Sequence, residues 1–230
     1  MNHQKPLVQT MQTLLNSVQE KDHCLLVGLT GTIASGKSTV AEMLSHCGAY
    51  SIDFDLLSRQ VVKPGQLAYK QIVDFFGPQI LQPDTTLDRQ KLSNVVFKDA
   101  EKRKKLEQFT HPQIAQLFVY QLKDIIQQDP NGIIQVIIPL LIEHHLQHLF
   151  HKLLVVYTSP ETLMKRLILR NHIHQDKALQ MINSQISIDK KLDYADFVIY
   201  NDKDRDDTHK QVIELWDTLK TIQKSQFQCS

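Results

Sequence analysis

The residues of this chain best suited to chemistry are Gly31, Gly36, Lys37 and Ser38, the fixed positions of the stretch Gly31-Thr-Ile-Ala-Ser-Gly36-Lys37-Ser38. The stretch fits GxxxxGK[ST], with an apolar strand pattern before it and a helical one after it. Such a loop binds phosphate through main-chain N–H groups, here those of Ala34, Ser35, Gly36, Lys37, Ser38 and Thr39, at the positive end of a helix. Gly31 and Gly36 permit a backbone approach that a side chain would obstruct. Lys37 is placed to reach the β- and γ-phosphates of a nucleoside triphosphate, and the Ser38 hydroxyl to ligate Mg²⁺.

Two further sets of residues bear on a reacting phosphate. Asp53 and Asp55 follow the second apolar run, and phosphoryl transfer to a hydroxyl needs a carboxylate to accept the proton or hold the metal's waters. The same residues could instead cap the helix that begins at Leu56-Leu57. Arg166 and Arg170 lie at i, i+4 on one helix face, where converging guanidinium groups would stabilise a transferring phosphoryl group. A solvated basic face that includes Lys165 is the alternative. GTPase signatures fail: Asp74-Phe-Phe-Gly77 sits in a helical stretch, and Asn201-Asp-Lys-Asp204 has the right residue types in the wrong order. Eleven histidines are present, with His144 and His148 at helical spacing. No acid or cysteine completes a zinc set around them, so surface histidines are expected.

These residues require a frame that presents them at strand ends. Cys24–Thr30, Ala49–Ile52, Ile133–Ile138, Leu153–Tyr157 and Phe197–Tyr200 read as buried strands, and Thr39–Cys47 and Thr208–Ile222 as helices packed on them. Strands alternating with helices predict an α/β fold, a doubly wound parallel sheet of five strands. Asp55 to Asn131, 77 residues, carries almost no strand signal. Helices are expected there at Asp55–Val62, Leu67–Phe76, Asp88–Phe97, Ala100–Phe109 and Pro112–Gln128. A crossover needs only about 10–12 residues, so this stretch reads as a helical subdomain inserted above the sheet. Ser159-Pro160-Glu161 carries the signals of a helix start and opens a second elaboration. Near the N-terminus, Leu7, Met11, Leu14, Leu15 and Val18 form one helical stripe in an extension over residues 1–23.

Composition excludes several classes. At 230 residues the chain suits one elaborated domain rather than two. With 26 basic against 25 acidic residues it has no general nucleic-acid-binding charge. Its longest apolar run, Val136 to Ile142, is far too short to span a bilayer, and residues 1–23 lack the apolar core of a secretory leader. Three cysteines, Cys24, Cys47 and Cys229, with no CxxC spacing suit a reducing compartment. A cytoplasmic enzyme with no membrane partner is the expectation.

The strings LTGTIASGKSTVA, IDFD at 52–55, QVVKPG at 60–65, THP at 110–112, IIPLLIE at 137–143 and SPETLMKRLILRN at 159–171 together resemble the dephospho-CoA kinase family. The series Gln185…Lys191…Ala195-Asp196…Asn201 adds to the resemblance, which runs from about Leu25 to Trp216. It implies a P-loop kinase fold and phosphoryl transfer from ATP, with Mg²⁺, to the ribose 3′-hydroxyl of dephospho-CoA. It also implies one domain over 24–225, a CoA-binding insertion at about 55–131, a lid at about 160–190 and a tail at 226–230. On the same ground Lys37, Asp55, Arg166 and Arg170 become the expected catalytic residues, and Asn201 joins the loop in binding ATP. Arg89, His111, Pro139 and Leu140 fall on the acceptor side; proline at the first position of a helix is the alternative reading of His111-Pro112. Two departures stand out. Thr32 and Ala34 occupy positions where many relatives have glycine, and Ile138 stands where many carry an acid, which leaves Ser38 and Asp55 as the magnesium candidates. Another P-loop small-molecule kinase, or a nucleotide-dependent binding module without transfer chemistry, are the competing functions. The long insertion argues against the first, and Asp55 with the paired arginines against the second.

Overall fold

A computed structural model describes residues 11–13, 15 and 23–227. Its centre is a sheet of five strands, β1 (Leu25–Thr30), β2 (Tyr50–Asp53), β3 (Ile133–Ile137), β4 (Lys152–Tyr157) and β5 (Phe197–Tyr200). The strands run in the order β2-β3-β1-β4-β5 and every pairing is parallel. All six residues of β1 and all five of β3 are buried, as continuous apolar strands covered on both faces must be. The helices are α1 (Lys37–Cys47), α2 (Phe54–Gln60), α3 (Leu67–Phe76), α4 (Arg89–Phe97), α5 (Ala100–Gln128), α6 (Pro160–Asn171), α7 (Gln175–Asn183), α8 (Ile188–Leu192) and α9 (Arg205–Phe227). The expected strands and helices thus recur with ends moved by a residue or a few, apart from the two helices noted below.

The described residues fall into two compact units, one holding Phe54–Lys123 with residues 11–13 and 15, the other holding the sheet. In the sheet unit, Val27 and Leu29 of β1, Val40 and Leu44 of α1, Leu154 and Val156 of β4, and Val212 and Leu215 of α9 form one apolar cluster. One buried polar side chain crosses it. Gln135 on β3 donates through Nε2 to the Ala41 carbonyl at 2.7 Å and Ser51 Oγ at 2.7 Å, tying α1 to β2.

The helical unit has its own core of Ile72, Phe76, Ile80, Leu87 and Leu92. Here the structure corrects the sequence reading. The helices expected at Ala100–Phe109 and Pro112–Gln128 are one helix, α5, with Pro112 inside it. Proline removes the bond to the Gln108 carbonyl and crowds it, a cost of about 3 kcal/mol. Continuity is maintained by the stripe Ile114, Ala115, Phe118, Val119 and Leu122, which is buried along its length. The closing helix is also longer than Thr208–Ile222. It starts at Arg205, where the Asp204 carboxylate accepts the Asp207 N–H at 2.8 Å, and it runs through Phe227 into the expected tail. Of the N-terminal stripe, Met11 and Leu15 are helical and fully buried, while Leu7, Leu14 and Val18 lie outside the described residues.

The histidines also differ from a purely surface set. His144 and His148 do not share a helix: His144 lies in a turn and His148 in a short 3₁₀ segment, Gln147–Leu149. His151 is partly buried and its Nδ1 accepts the Leu26 N–H of β1 at 2.9 Å, so the ring must be neutral at that nitrogen. Burial pushes the His151 imidazole below its ordinary range, and burial does the same to His144 with a smaller push from His145 against the pull of Glu143. In the unfolded chain both titrate near pH 6.5. Between that pH and the lower folded values the unfolded state binds more protons, so stability falls as pH is lowered. Tm is expected to drop between pH 7.5 and 5.5, above the range where carboxylates contribute. The drop should shrink in His151→Asn, whose Oδ1 can still accept from Leu26; an unchanged pH slope in that variant would refute the assignment.

Candidate functional site

The loop between β1 and α1 turns sharply, and its geometry explains its glycines. Gly31 has φ 154°, and a Cβ there would meet the Val156 carbonyl oxygen at 2.6 Å. Gly36 caps α1 with φ 91° and ψ 22°, and a Cβ there would run into Asn201 Nδ2. Ala34 also lies in the left-handed region, at φ 63°, a strain of roughly 1–2 kcal/mol that glycine would not incur. No acidic residue occupies the first turn of α1, which leaves its positive end uncompensated.

Lys37 and side chains from elsewhere in the sheet unit hold this loop. Lys37 Nζ donates to the Gly31 and Thr32 carbonyls, each at 2.9 Å. The Ser35 carbonyl accepts from Asn201 Nδ2 at 2.8 Å and lies 3.0 Å from the Thr158 hydroxyl. The Ile33 N–H donates to Gln185 Oε1 at 2.9 Å. Among the described residues, Ser35 Oγ and Thr32 Oγ1 are buried without a hydrogen-bond partner.

Beside the loop is an open cavity of about 320 Å³ lined by Ala34, Gly36, Thr39, Arg166, Asn201, Lys203 and Arg205. Its charged side chains are all basic, as a triphosphate requires. Arg166, on α6, is half-buried and donates to the Asn201 carbonyl at 2.8 Å. The start of α6 is fixed by Ser159, whose hydroxyl accepts the Thr162 N–H, and by Asp202, whose Oδ1 accepts the Ser159 N–H at 2.8 Å. Burial would raise the Asp202 carboxyl, but its bonds from Ser159 and Thr162 and the Arg166 charge together hold it below the usual range.

The exit of β3 forms a second braced corner. Lys191 of α8 has no exposed surface, and its Nζ lies 2.8 Å from Glu143 Oε1 and 3.2 Å from the Pro139 carbonyl. Glu143 Oε1 also accepts the Ile186 N–H at 3.2 Å, and the Thr30 hydroxyl donates to the Pro139 carbonyl at 3.2 Å. Pro139 is thereby held, while Leu140 beside it is 36% exposed.

The structure therefore gathers Gly31, Ala34, Ser35, Gly36, Lys37, Ser38, Thr39, Arg166 and Asn201 around one loop and cavity. It separates the two arginines expected to act together. Arg170 is exposed, does not line that cavity, and its Nε donates to Asn171 Oδ1 at 2.9 Å. Asp55, Arg89 and His111 belong to the helical unit. Asp55 is exposed in the first turn of α2, where its carbonyl accepts from Ser58; Arg89 is exposed at the start of α4, capped by Asp88; and His111 is half-buried inside α5. The interior position of His111 excludes the helix-start reading of His111-Pro112. Thr158, Gln185, Lys191 and Thr208 carry bonds that residue-type reasoning did not single out. Gln185 and Lys191 were visible only within a family-like string, and Thr158 and Thr208 give no local signal.

The dephospho-CoA kinase family model matches residues 25–207. Dephospho-CoA kinase of Listeria monocytogenes is 44% identical over 186 residues, covering 81% of this chain and 92% of that protein. The one from Syntrophus aciditrophicus is 42% identical over 195 residues, covering 85% and 83%. Among solved structures, dephospho-CoA kinase from Campylobacter jejuni matches with a TM-score of 0.66 at 30% identity, over 86% of this chain and 98% of that one. A crystal structure from Thermus thermophilus matches with a TM-score of 0.75 at 26% identity, over 85% and 97%. No helix among the described residues is long and apolar enough to cross a membrane.

The loop geometry makes Gly36 the most sensitive position for phosphate binding. Gly36→Ala adds a methyl group where the Asn201 amide stands, at a φ that L-residues resist. ATP affinity measured by calorimetry is expected to fall by about 10-fold or more, with a loss of roughly 1–2 kcal/mol in stability. Parent-like affinity would show that this loop does not carry the phosphates.

Proposed function

We propose, from the premise that the chain belongs to the dephospho-CoA kinase family, that it transfers the γ-phosphoryl group of ATP to the ribose 3′-hydroxyl of dephospho-CoA, giving coenzyme A and ADP. The observation that carries the proposal is the braced loop 31–38 opening on a cavity whose charged side chains, Arg166, Lys203 and Arg205, are all basic, within the matched stretch 25–207.

Each side chain has a definable task in that reaction. The N–H groups from Ala34 to Thr39 hold the phosphates against the positive end of α1. Lys37 holds its ammonium against the Gly31 and Thr32 carbonyls of the loop, and its task is to meet the β- and γ-phosphates. Ser38, exposed at the second position of α1, is a hard oxygen donor of the kind that Mg²⁺ accepts alongside phosphate oxygens and water. Among the described residues no group of three or more His, Cys, Asp or Glu could hold the ion alone, so the donor set fits a metal that arrives with nucleotide. When bound, Mg²⁺ neutralises charge on the β- and γ-phosphates.

The acceptor oxygen forms a bond to the γ-phosphorus as the bond to the β–γ bridging oxygen breaks, and ADP leaves with that electron pair. Asp55 is the carboxylate we assign to take the 3′-hydroxyl proton or to hold a water of the metal. Arg166 meets charge developing on the transferred group, a role that its planar fork suits. Arg89, His111, Pro139 and Leu140 are assigned to the acceptor. Of the two arginines, the one on the cavity is the stronger candidate for chemistry.

Incubation with ATP, Mg²⁺ and dephospho-CoA, with product identified by mass, is expected to give coenzyme A; the same assay over a panel of other acceptors should give far less. A folded protein that yields no coenzyme A sinks the proposal. Lys37→Ala should lower kcat/KM by roughly 100-fold or more. Arg166→Lys should lower kcat by roughly 10- to 1,000-fold with a smaller change in ATP affinity, because lysine keeps charge and loses the fork. Arg170→Lys should stay within about 3-fold, as expected of an exposed side chain that does not line the cavity. Equal losses in both arginine variants would mean that Arg170 also acts on phosphate.

A further inference from the structure

Thr208 lies in the first turn of α9, with no exposed surface, one residue beyond the stretch that matches the family. Its hydroxyl is 2.9 Å from Asn201 Oδ1 and 3.2 Å from the Asp204 carbonyl. At the other end of the same carboxamide, Asn201 Nδ2 is 2.8 Å from the Ser35 carbonyl. The direction of this chain is not optional. A carbonyl oxygen only accepts, so the amide must turn its NH₂ to Ser35 and its oxygen to Thr208. Thr208 must then donate, and its single proton goes to the nearer acceptor.

The consequence lies in the loop. The Ser35–Gly36 peptide is planar and trans, so its C=O and the Gly36 N–H point in opposite directions. Pinning the Ser35 carbonyl toward Asn201 therefore turns the Gly36 N–H the other way. That N–H belongs to the N-cap of α1, at the positive end of the helix. We infer that Thr208 is a positioning residue for the nucleotide. Its hydroxyl orients the Asn201 amide, which fixes the Ser35–Gly36 peptide plane and so aims the Gly36 N–H at phosphate. Asn201 thus lines the cavity with one amide N–H given to Ser35 and its oxygen held by Thr208, and this pair of bonds acts on nucleotide binding through the loop. The inference rests on the reading that this loop binds ATP.

An ordinary buried threonine that only bonds back to the carbonyl four residues earlier would leave nucleotide binding untouched. Thr208→Val keeps the shape and removes the donor, and Thr208→Ser keeps the donor. ATP affinity is read by calorimetry, whose stoichiometry reports the folded fraction, and kcat and both KM values are read by the coenzyme A assay. Valine is expected to weaken ATP binding and raise KM for ATP by roughly 5- to 20-fold, the scale of a buried acceptor left unpaired. kcat and KM for dephospho-CoA should stay within about 2-fold, and serine should match the parent throughout. Should valine not fold, Thr208→Ala carries the same comparison. Parent-like ATP affinity in the variant lacking the hydroxyl overturns the inference, as does a serine variant as impaired as valine, or a loss shared equally by both substrates. A parent chain that binds no ATP defeats the underlying reading of the loop instead.

Discussion

The site depends on one main-chain carbonyl, that of Ser35. A loop that offers N–H groups to phosphate must turn its carbonyls away, and a buried carbonyl turned away from water needs donors. Ser35 O receives Asn201 Nδ2 and sits within reach of the Thr158 hydroxyl, and these come from the ends of β5 and β4. Bonds within the loop, such as those of Lys37 to the Gly31 and Thr32 carbonyls, are completed from outside its sequence. Its glycines make the turn sterically accessible, and residues more than a hundred positions away make it the stable choice.

The sheet order makes that supply feasible. β1 is the middle strand of β2-β3-β1-β4-β5, with β3 on one side and β4 on the other, and the chain reverses its winding there. Ligands of open parallel sheets bind beyond the carboxyl ends at such a reversal because the connections diverge and leave a crevice. The exits of β4 and β5 each send a side chain to the loop leaving β1, and Thr30 at the end of β1 reaches the exit of β3. Thr30 and Lys191 brace the Pro139 carbonyl after β3, Thr158 follows β4, and Asn201 follows β5.

Much of this was legible in the sequence and some was not, for physical reasons. The strands and the phosphate loop were readable because their signals are local: continuous apolar runs, and glycines beside a lysine and a serine. Arg166 and Arg170 were not distinguishable, since i, i+4 spacing gives a shared face and says nothing of which end of that face meets the loop. α5 was read as two helices because the cost of Pro112 is local, whereas the burial of Ala115, Phe118 and Leu122 that offsets it depends on tertiary packing. Lys191 shows the same limit more sharply. Nothing in local composition tells Lys191 from its exposed neighbour Lys190, yet it is fully buried because Glu143 and Pro139, some fifty residues earlier, supply its acceptors. Bridges that span the chain leave no mark in local composition.

The placement of buried polar groups carries the reasoning one step further. The buried polar side chains among the described residues are Thr30, Thr32, Ser35, Gln135, Thr158, Lys191, Asn201 and Thr208. Thr32 and Ser35 belong to the loop itself. Thr30, Thr158, Lys191 and Asn201 donate to carbonyls of the loop or of its neighbouring strand exits, and Thr208 orients one of those donors. Gln135 ties the helix that follows the loop to β2. Burying polar groups opposes folding unless each finds a partner, so a core selected for stability alone would favour apolar residues at these positions. Apart from Gln135, which lies mid-strand, their concentration at one end of the sheet is the cost of holding main-chain dipoles in a fixed direction. Because those dipoles are fixed by the protein, little reorganisation is left for the moment when charge develops on phosphate, which is the condition under which such dipoles stabilise a transition state most.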